Sequence, residues 1–311
     1  DFQGWRQADT QAIARNLAFV DFDVLRPRID WGGDGPGFVE SELPLYPALI
    51  AAAMRVSGES VWPGQLLSLA CVALAAGLIF VALARRFGGL AGYLALLAIL
   101  SMKGTIAGGT SIQPDSLAFL AFTVGFLAFR AFLDRPTGAL LLAWVTATAI
   151  AGLVKPTTLE LGLAQAMLCL LARRDLLRRP RLWIGWGLVL AVVGVYLLHA
   201  RSLYLTYGNT FGVLSGGDSK LPALGPLLHP GPWIDLARAT VIWGIGLPGL
   251  LAALYLAWRR QLGAEELALA TGALCLSLLA FRYTSGTFGT HYHLPHIVLG
   301  AWLVARAVAD L

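Results

Sequence analysis

Apolar runs of about 20 residues recur along most of the chain, separated by short polar or arginine-bearing segments. A run of this length matches the hydrocarbon thickness of a bilayer, so the pattern predicts an all-α fold, a polytopic bundle of transmembrane helices. The predicted spans number nine and lie near residues 62–84, 90–107, 115–133, 138–154, 157–172, 182–199, 236–258, 265–282 and 295–311.

The first 61 residues have a different pattern. They carry nine of the eighteen acidic residues and one short apolar segment, Leu43–Val56, which is too short to cross a bilayer and is predicted to lie along the membrane surface. Thr10–Val20 has a helical pattern with Asp9 or Thr10 as its cap. We therefore divide the chain into a loop with juxtamembrane helices at 1–61 and a transmembrane bundle at 62–311.

Composition narrows the class of protein. Hydrophobic residues make up 57% and charged residues 13% of the chain, against about 25% charged residues in soluble domains. These values exclude a soluble Rossmann or TIM-barrel enzyme and a nucleic-acid-binding protein. The three cysteines lie in apolar segments without CxxC spacing, so neither a disulfide framework nor a zinc knuckle is expected.

The loops between the predicted spans differ in charge. The loops after spans one, three, five and seven contain eleven arginines, whereas the alternate loops contain only Lys155, Arg201, Lys220 and Arg282. By the positive-inside rule, residues 1–61 lie on the non-cytoplasmic side, and we expect an earlier span before residue 1. The predicted location is the bacterial inner membrane, with several spans and a site facing the periplasm.

Polar residues of chemical interest collect on the predicted outer face. They occur in the segments GWRQADTQAIARN (4–16), ESELPLYP (40–47), QPDS (113–116), VKPT (154–157) and THYHLP (290–295). Ionisable groups at one membrane surface favour an enzyme that acts on a lipid-borne substrate. A carrier would place such groups near the midplane, where only Glu160 and Lys103 are candidates, both near span ends.

This order of motifs resembles the bacterial membrane glycosyltransferases of the GT-C class. Their relatives include the protein O-mannosyltransferases and the aminoarabinose and galacturonic-acid lipid A transferases. The resemblance covers the chain nearly end to end and implies that a sugar passes, usually with inversion, from a polyprenyl-phosphate donor to a lipid, glycan or protein acceptor. A transporter or flippase, and a non-catalytic assembly subunit with the same fold, are the alternatives.

The resemblance implies roles for three acidic residues. Asp9 in WRQADT takes the place of the acidic residue at the family's site and is the candidate catalytic base; alternatively, it caps the following helix. Glu42 is a candidate supporting acid, or a solvated acid before Pro44. Asp115 is a second supporting acid, or a favourable charge at a helix N-terminus. Two departures stand out: Thr10 replaces the second acid of the family's pair, and Leu43 follows Glu42 where aminoarabinose transferases have a basic residue.

Four basic residues are candidates for binding the donor phosphate: Lys155, Arg6, Arg201 and Arg282. Each has an alternative role as an anchor at the membrane interface. His291 and His293 are candidates, together with Glu42, for a divalent metal site. No cofactor is assigned, because metal dependence varies among the relatives. Membrane lipids are the other expected partners.

Overall fold

The computed structural model describes residues 4–31, 33–216, 224–285 and 287–311. The prediction of an all-α fold is confirmed: apart from two isolated β-bridges, the regular structure in these ranges is helical. The α-helices are α1 (Gly4–Phe19), α2 (Leu45–Ser57), α3 (Trp62–Phe87), α4 (Gly89–Ser101), α5 (Lys103–Thr110), α6 (Asp115–Asp134), α7 (Gly138–Val154), α8 (Glu160–Ala172), α9 (Pro180–Tyr207), α10 (Leu224–Leu227), α11 (Pro230–Ala239), α12 (Gly246–Arg259), α13 (Ala264–Leu279), α14 (Phe281–Thr284) and α15 (His296–Asp310). Further turns are 3₁₀ at Pro156–Leu159, Arg174–Arg178 and Thr287–His293, and π-helical at Thr240–Ile245.

Helices occur near all nine predicted spans, but they differ in length. Within the described residues, four are long and apolar enough to cross a membrane: α3, α6, α9 and the continuous stretch Pro230–Arg259. A fifth candidate is the pair α4 and α5, which is bent by 65° at Met102. The large apolar side chains of α9 are mostly exposed on the protein surface, for example Val195 at 68% and Leu198 at 67%, as expected for a helix that faces lipid.

Residues before α3 form a small layer with its own apolar cluster. Helices α1 and α2 pack against each other through Ile13, Leu17 and Met54, all buried. The Tyr46 hydroxyl of α2 donates to the Gly64 carbonyl of α3 at 2.8 Å, which ties this layer to the bundle. Helix α1 begins at Gly4 and not near Thr10, so the expectation that Asp9 caps this helix is wrong and Asp9 lies in its second turn.

Small residues allow the bent helix pair and the π-helical turn to come together. A Cβ atom at Gly104 of α5 would overlap the Trp243 carbonyl, and one at Gly300 of α15 would overlap the Ile245 carbonyl. Both carbonyls belong to the π-helical turn Thr240–Ile245. The close backbone contact holds α5 beside the loop before α15, and α5 leads directly into the QPDS motif at the start of α6.

Candidate active site

Asp9 lies on a wall shared by two neighbouring cavities. The first, the charged cavity, has a volume of about 40 Å³ and is lined by Arg6, Asp9 and Glu42 among others. The second, the aromatic cavity, has a volume of about 660 Å³. Five aromatic side chains line the aromatic cavity: Trp5, Trp31, Phe211, Tyr283 and Tyr292. Asp9 is thus placed to act on a molecule in either cavity.

The Asp9 carboxyl is held by one indole. The Trp31 Nε1–H donates to Asp9 Oδ1 at 2.9 Å, and the Trp31 ring packs edge-on against Phe211 with centroids 6.1 Å apart. Partial burial of the carboxyl raises the pKa of Asp9 above its ordinary value, and the Trp31 hydrogen bond and the Arg6 charge only partly offset this effect. A carboxylate with a raised pKa is a stronger proton acceptor, as a general base requires.

Two ion pairs lie in this region, and one of them, Arg6–Glu42, lines the charged cavity together with Asp9. An Arg6 guanidinium nitrogen is 3.0 Å from Glu42 Oε1, and each side chain is 17% exposed. The Lys155 ammonium is 3.0 Å from Asp115 Oδ1, and these side chains are only 5% and 6% exposed. The pairs are close enough to interact electrostatically, since Arg6 is also stabilised by Asp115, and Glu42 by Lys155. The four charges therefore form one network, which we call the charge network.

The charge network assembles because each member lies where a helix begins or ends. Glu42 precedes Pro44 and α2, and Asp115 follows Pro114 as the first residue of α6. Lys155 lies between α7 and the 3₁₀ turn that begins at Pro156. These ends meet at the same side of the bundle, where α1 contributes Arg6.

Charge balance in the network keeps Glu42 ionised. Burial by itself raises the pKa of Glu42, but the positive charges of Arg6 and Lys155 outweigh burial and hold this pKa below its ordinary value. The Arg6 Nε–H is buried and has no hydrogen-bond partner in the described part of the chain. Arg6 therefore has a donor available for an anion in the charged cavity. Leu43, which also lines this cavity, contributes no charge.

Not all of the predicted site residues come together. Arg201 of α9 and Arg282 of α14 are exposed, and neither is among the described residues that line the two cavities. His293 is fully buried, with Nε2 3.0 Å from the Thr284 carbonyl and Nδ1 3.3 Å from His296 Nδ1.

The predicted metal ligands are not assembled around a common point. Across residues 4–31, 33–216, 224–285 and 287–311, no group of three or more His, Cys, Asp or Glu side chains is placed to hold a metal ion. Glu42 pairs with Arg6, and His293 is directed towards His296 and the Thr284 carbonyl. His291 lines a separate small cavity with Asp115.

Sequence reasoning missed two residues that shape the site. Trp31 lies in a turn-rich stretch with no local pattern that links it to the site, and only the fold brings its indole to Asp9, 22 positions away. Glu40 is completely buried and accepts hydrogen bonds from the Thr210 hydroxyl and from the backbone N–H groups of Leu214 and Ser215. Glu40 thereby holds the segment that contains Phe211 against the aromatic cavity. The Gly- and Asp-rich sequence before Phe38 predicted neither the contact of Trp31 nor that of Glu40.

Comparison with known proteins defines the class to which this fold and site belong. Residues 36–199, just over half of the chain, match the family described as dolichyl-phosphate-mannose-protein mannosyltransferase. The chain belongs to this family, and the resemblance to GT-C class glycosyltransferases is confirmed. No curated protein matches the chain at the level required for significance.

The solved structures similar to this chain include ArnT from Cupriavidus metallidurans. In its apo state, ArnT shares 18% sequence identity and a TM-score of 0.65 with this chain, over 98% of this chain and 54% of ArnT. For ArnT bound to undecaprenyl phosphate, the identity is again 18% and the TM-score is 0.63, over 98% of this chain and 55% of ArnT. The chain thus spans about half the length of the solved protein, and at this identity the likeness establishes the fold.

The Trp31–Asp9 hydrogen bond yields a first prediction. Trp31→Phe removes the N–H that stabilises the ionised carboxylate, so the pKa of Asp9 should rise further. Activity that requires ionised Asp9 should then begin at a higher pH than in the wild type. The measurement is kcat/KM as a function of pH.

Trp183→Phe is the matched control for this variant. Trp183 is 57% exposed, against 53% for Trp31, and its indole donates to the Leu177 carbonyl at 2.7 Å. This variant should keep the wild-type pH profile. If Trp31→Phe lowers kcat/KM but leaves the acidic side of its pH profile unshifted, Trp31 has a packing role only.

The Lys155–Asp115 pair yields a second prediction. Lys155→Met leaves the buried Asp115 carboxylate unpaired and should lower the free energy of unfolding by about 3–5 kcal/mol. Lys155→Met combined with Asp115→Asn removes both charges and should recover most of that loss. Arg26→Gln, which breaks an exposed pair with Asp23, should leave the free energy of unfolding close to the wild-type value. Wild-type stability of Lys155→Met in detergent would show that this pair does not form.

Proposed function

We propose that this protein transfers a sugar from a polyprenyl-phosphate donor to a hydroxyl group of a lipid, glycan or protein acceptor. The observation that carries the proposal is the position of Asp9 between a charged and an aromatic cavity. Family membership supports a glycosyl donor linked through phosphate to a polyprenyl-type lipid. ArnT, which has the same fold, binds undecaprenyl phosphate, and this supports a lipid phosphate as the product that remains after transfer.

Asp9 acts as the general base in the proposed reaction. Its carboxylate accepts the proton of the acceptor hydroxyl while the hydroxyl oxygen attacks the anomeric carbon. The bond between the anomeric carbon and the phosphate oxygen breaks, and its electron pair leaves with the lipid phosphate. Attack on the face opposite the phosphate inverts the configuration at the anomeric carbon.

Arg6 stabilises the departing phosphate. Its unpartnered Nε–H can donate to a phosphate oxygen while the terminal nitrogen stays bound to Glu42. An interaction that strengthens as negative charge develops on the leaving group accelerates the reaction, most of all in a site of low dielectric constant. Lys155, which is paired with Asp115, adds a positive charge to the charge network and so contributes to the positive potential that stabilises the phosphate.

The aromatic cavity binds carbohydrate in this proposal. Its exposed indoles, Trp5 at 62% and Trp31 at 53%, offer flat apolar faces beside the base. Such faces bury the C–H surface of a sugar ring, while Asp9 and Thr210 supply hydrogen-bonding groups. The cavity therefore suits the transferred sugar or a sugar-bearing acceptor.

The arginine distribution supports an outward-facing site. The site residues lie at one end of the bundle: Asp9, Glu42, Asp115 and Lys155. The arginine-rich loops, of which the first contains Arg85, lie at the opposite end. By the positive-inside rule the arginine-rich end is cytoplasmic, so the two cavities face the periplasm of a bacterial inner membrane. Residues 1–61 are then the first outer loop and residues 62–311 the membrane bundle.

A transfer assay tests the proposal. Purified protein is incubated with radiolabelled polyprenyl-phosphate sugars and membrane extract, with and without EDTA. Label should move from one donor to an acceptor, and Asp9→Asn should reduce the rate by about 10²–10⁴-fold because the base is lost. Loss of transfer with EDTA would add a metal requirement.

The matched control is Asp21→Asn, which changes an exposed acid of the same loop and should retain the wild-type rate. Undiminished turnover by Asp9→Asn would overturn the role of Asp9. If folded wild-type protein transfers no sugar from any donor, a transporter or an assembly subunit becomes the better interpretation.

A further inference from the structure

A second charged site lies at the opposite end of α3 and α6. A groove of about 580 Å³, the arginine groove, is lined by Arg85 and Arg86 of α3 and by Arg130 of α6. Leu127 and the buried Trp302 contribute apolar surface to it. Arg85 follows Trp62, at the start of α3, by a helical rise of roughly 34 Å, about the thickness of a bilayer. The arginine groove is therefore separate from the candidate active site.

The arginines of the groove are only partly neutralised. Arg86 and Arg130 share one carboxylate oxygen, Glu265 Oε1, at 2.7 Å and 3.0 Å. Arg130 also contacts Asp134, whose side chain is 61% exposed. Arg85 is exposed and forms no ion pair with any residue that the structure describes. Three guanidinium groups therefore face two carboxylates, and most of their N–H donors remain available to an anion.

An apolar path on α3 leads to this charge. Leu74, Leu78 and Val81 are 59%, 40% and 40% exposed. Their spacing from Arg85, at 11, 7 and 4 positions, places all four on one face of the helix. An exposed apolar stripe that ends at a cationic groove matches the shape of a phospholipid, with an acyl chain along the helix and a phosphate at its end.

We propose that the arginine groove binds the headgroup of an anionic phospholipid, with an acyl chain along the Leu74–Leu78–Val81 face of α3. The phosphodiester accepts hydrogen bonds from Arg85 and from the free donors of Arg86 and Arg130. Arginine suits this role because its planar fork can bind two phosphate oxygens at once. The stripe distinguishes this site from one for free phosphate, which would gain nothing from exposed leucines.

The test counts the lipids that the 311-residue chain retains. The protein is reconstituted in an equimolar mixture of phosphatidylglycerol and phosphatidylethanolamine, released into detergent and analysed by native mass spectrometry. The wild type should retain phosphatidylglycerol preferentially, and Arg85→Gln should weaken that retention about five-fold, as expected from roughly 1 kcal/mol per basic residue at a membrane surface. Arg85→Gln breaks no described ion pair, so it should remain folded.

Arg178→Gln is the control, because it removes one exposed arginine from the predicted cytoplasmic face outside the groove. It should retain phosphatidylglycerol as the wild type does. Equal loss in both variants would indicate general surface attraction and overturn the proposal. Equal retention of both lipids by the wild type, or complete displacement by millimolar inorganic phosphate, would also overturn it.

Discussion

The structure depends on four charges that are buried together at one end of a hydrophobic bundle. Arg6, Glu42, Asp115 and Lys155 come from four separate segments, and the two ion pairs that they form join these segments. Burial of such pairs costs desolvation energy that apolar side chains of similar size would avoid. The network is therefore costly for stability, and we attribute its presence to the proposed site that it borders. It sets a fixed electrostatic environment at the wall of the charged cavity.

The bundle was predictable because its signal is repeated and large. An apolar run of about 20 residues is explained by a helix that crosses the bilayer, and helices occur near every predicted position. The short acidic and basic motifs were also informative, since ionisable residues at the ends of apolar runs meet at a membrane surface. Asp9, Glu42 and Arg6 do line one cavity, and Asp115 and Lys155 pair directly behind it.

The remaining features depend on contacts that no local pattern encodes. The indole of Trp31 reaches Asp9 only because the turn after α1 folds back, and exposed tryptophans in membrane proteins usually mark an interface. The start of α1 was misplaced because the polar stretch before Thr10 lacks an apolar period, and the buried residues of this helix begin only at Thr10. Arg201 and Arg282 share a predicted face with the site, but a shared face does not specify distance. The metal set failed to assemble for a related reason: Glu42 already has a cationic partner.

The two ends of α3 and α6 have complementary roles in this account. One end carries balanced charges around a base, and the other carries excess positive charge where lipid headgroups lie. The central claim is that Arg6 binds the donor phosphate beside Asp9. A cryo-EM map of the protein with undecaprenyl phosphate tests it most directly. Phosphate density is expected within hydrogen-bonding distance of Arg6 Nε in the charged cavity; phosphate density at Arg201, Arg282 or the arginine groove, with the charged cavity empty, would contradict the role of Arg6.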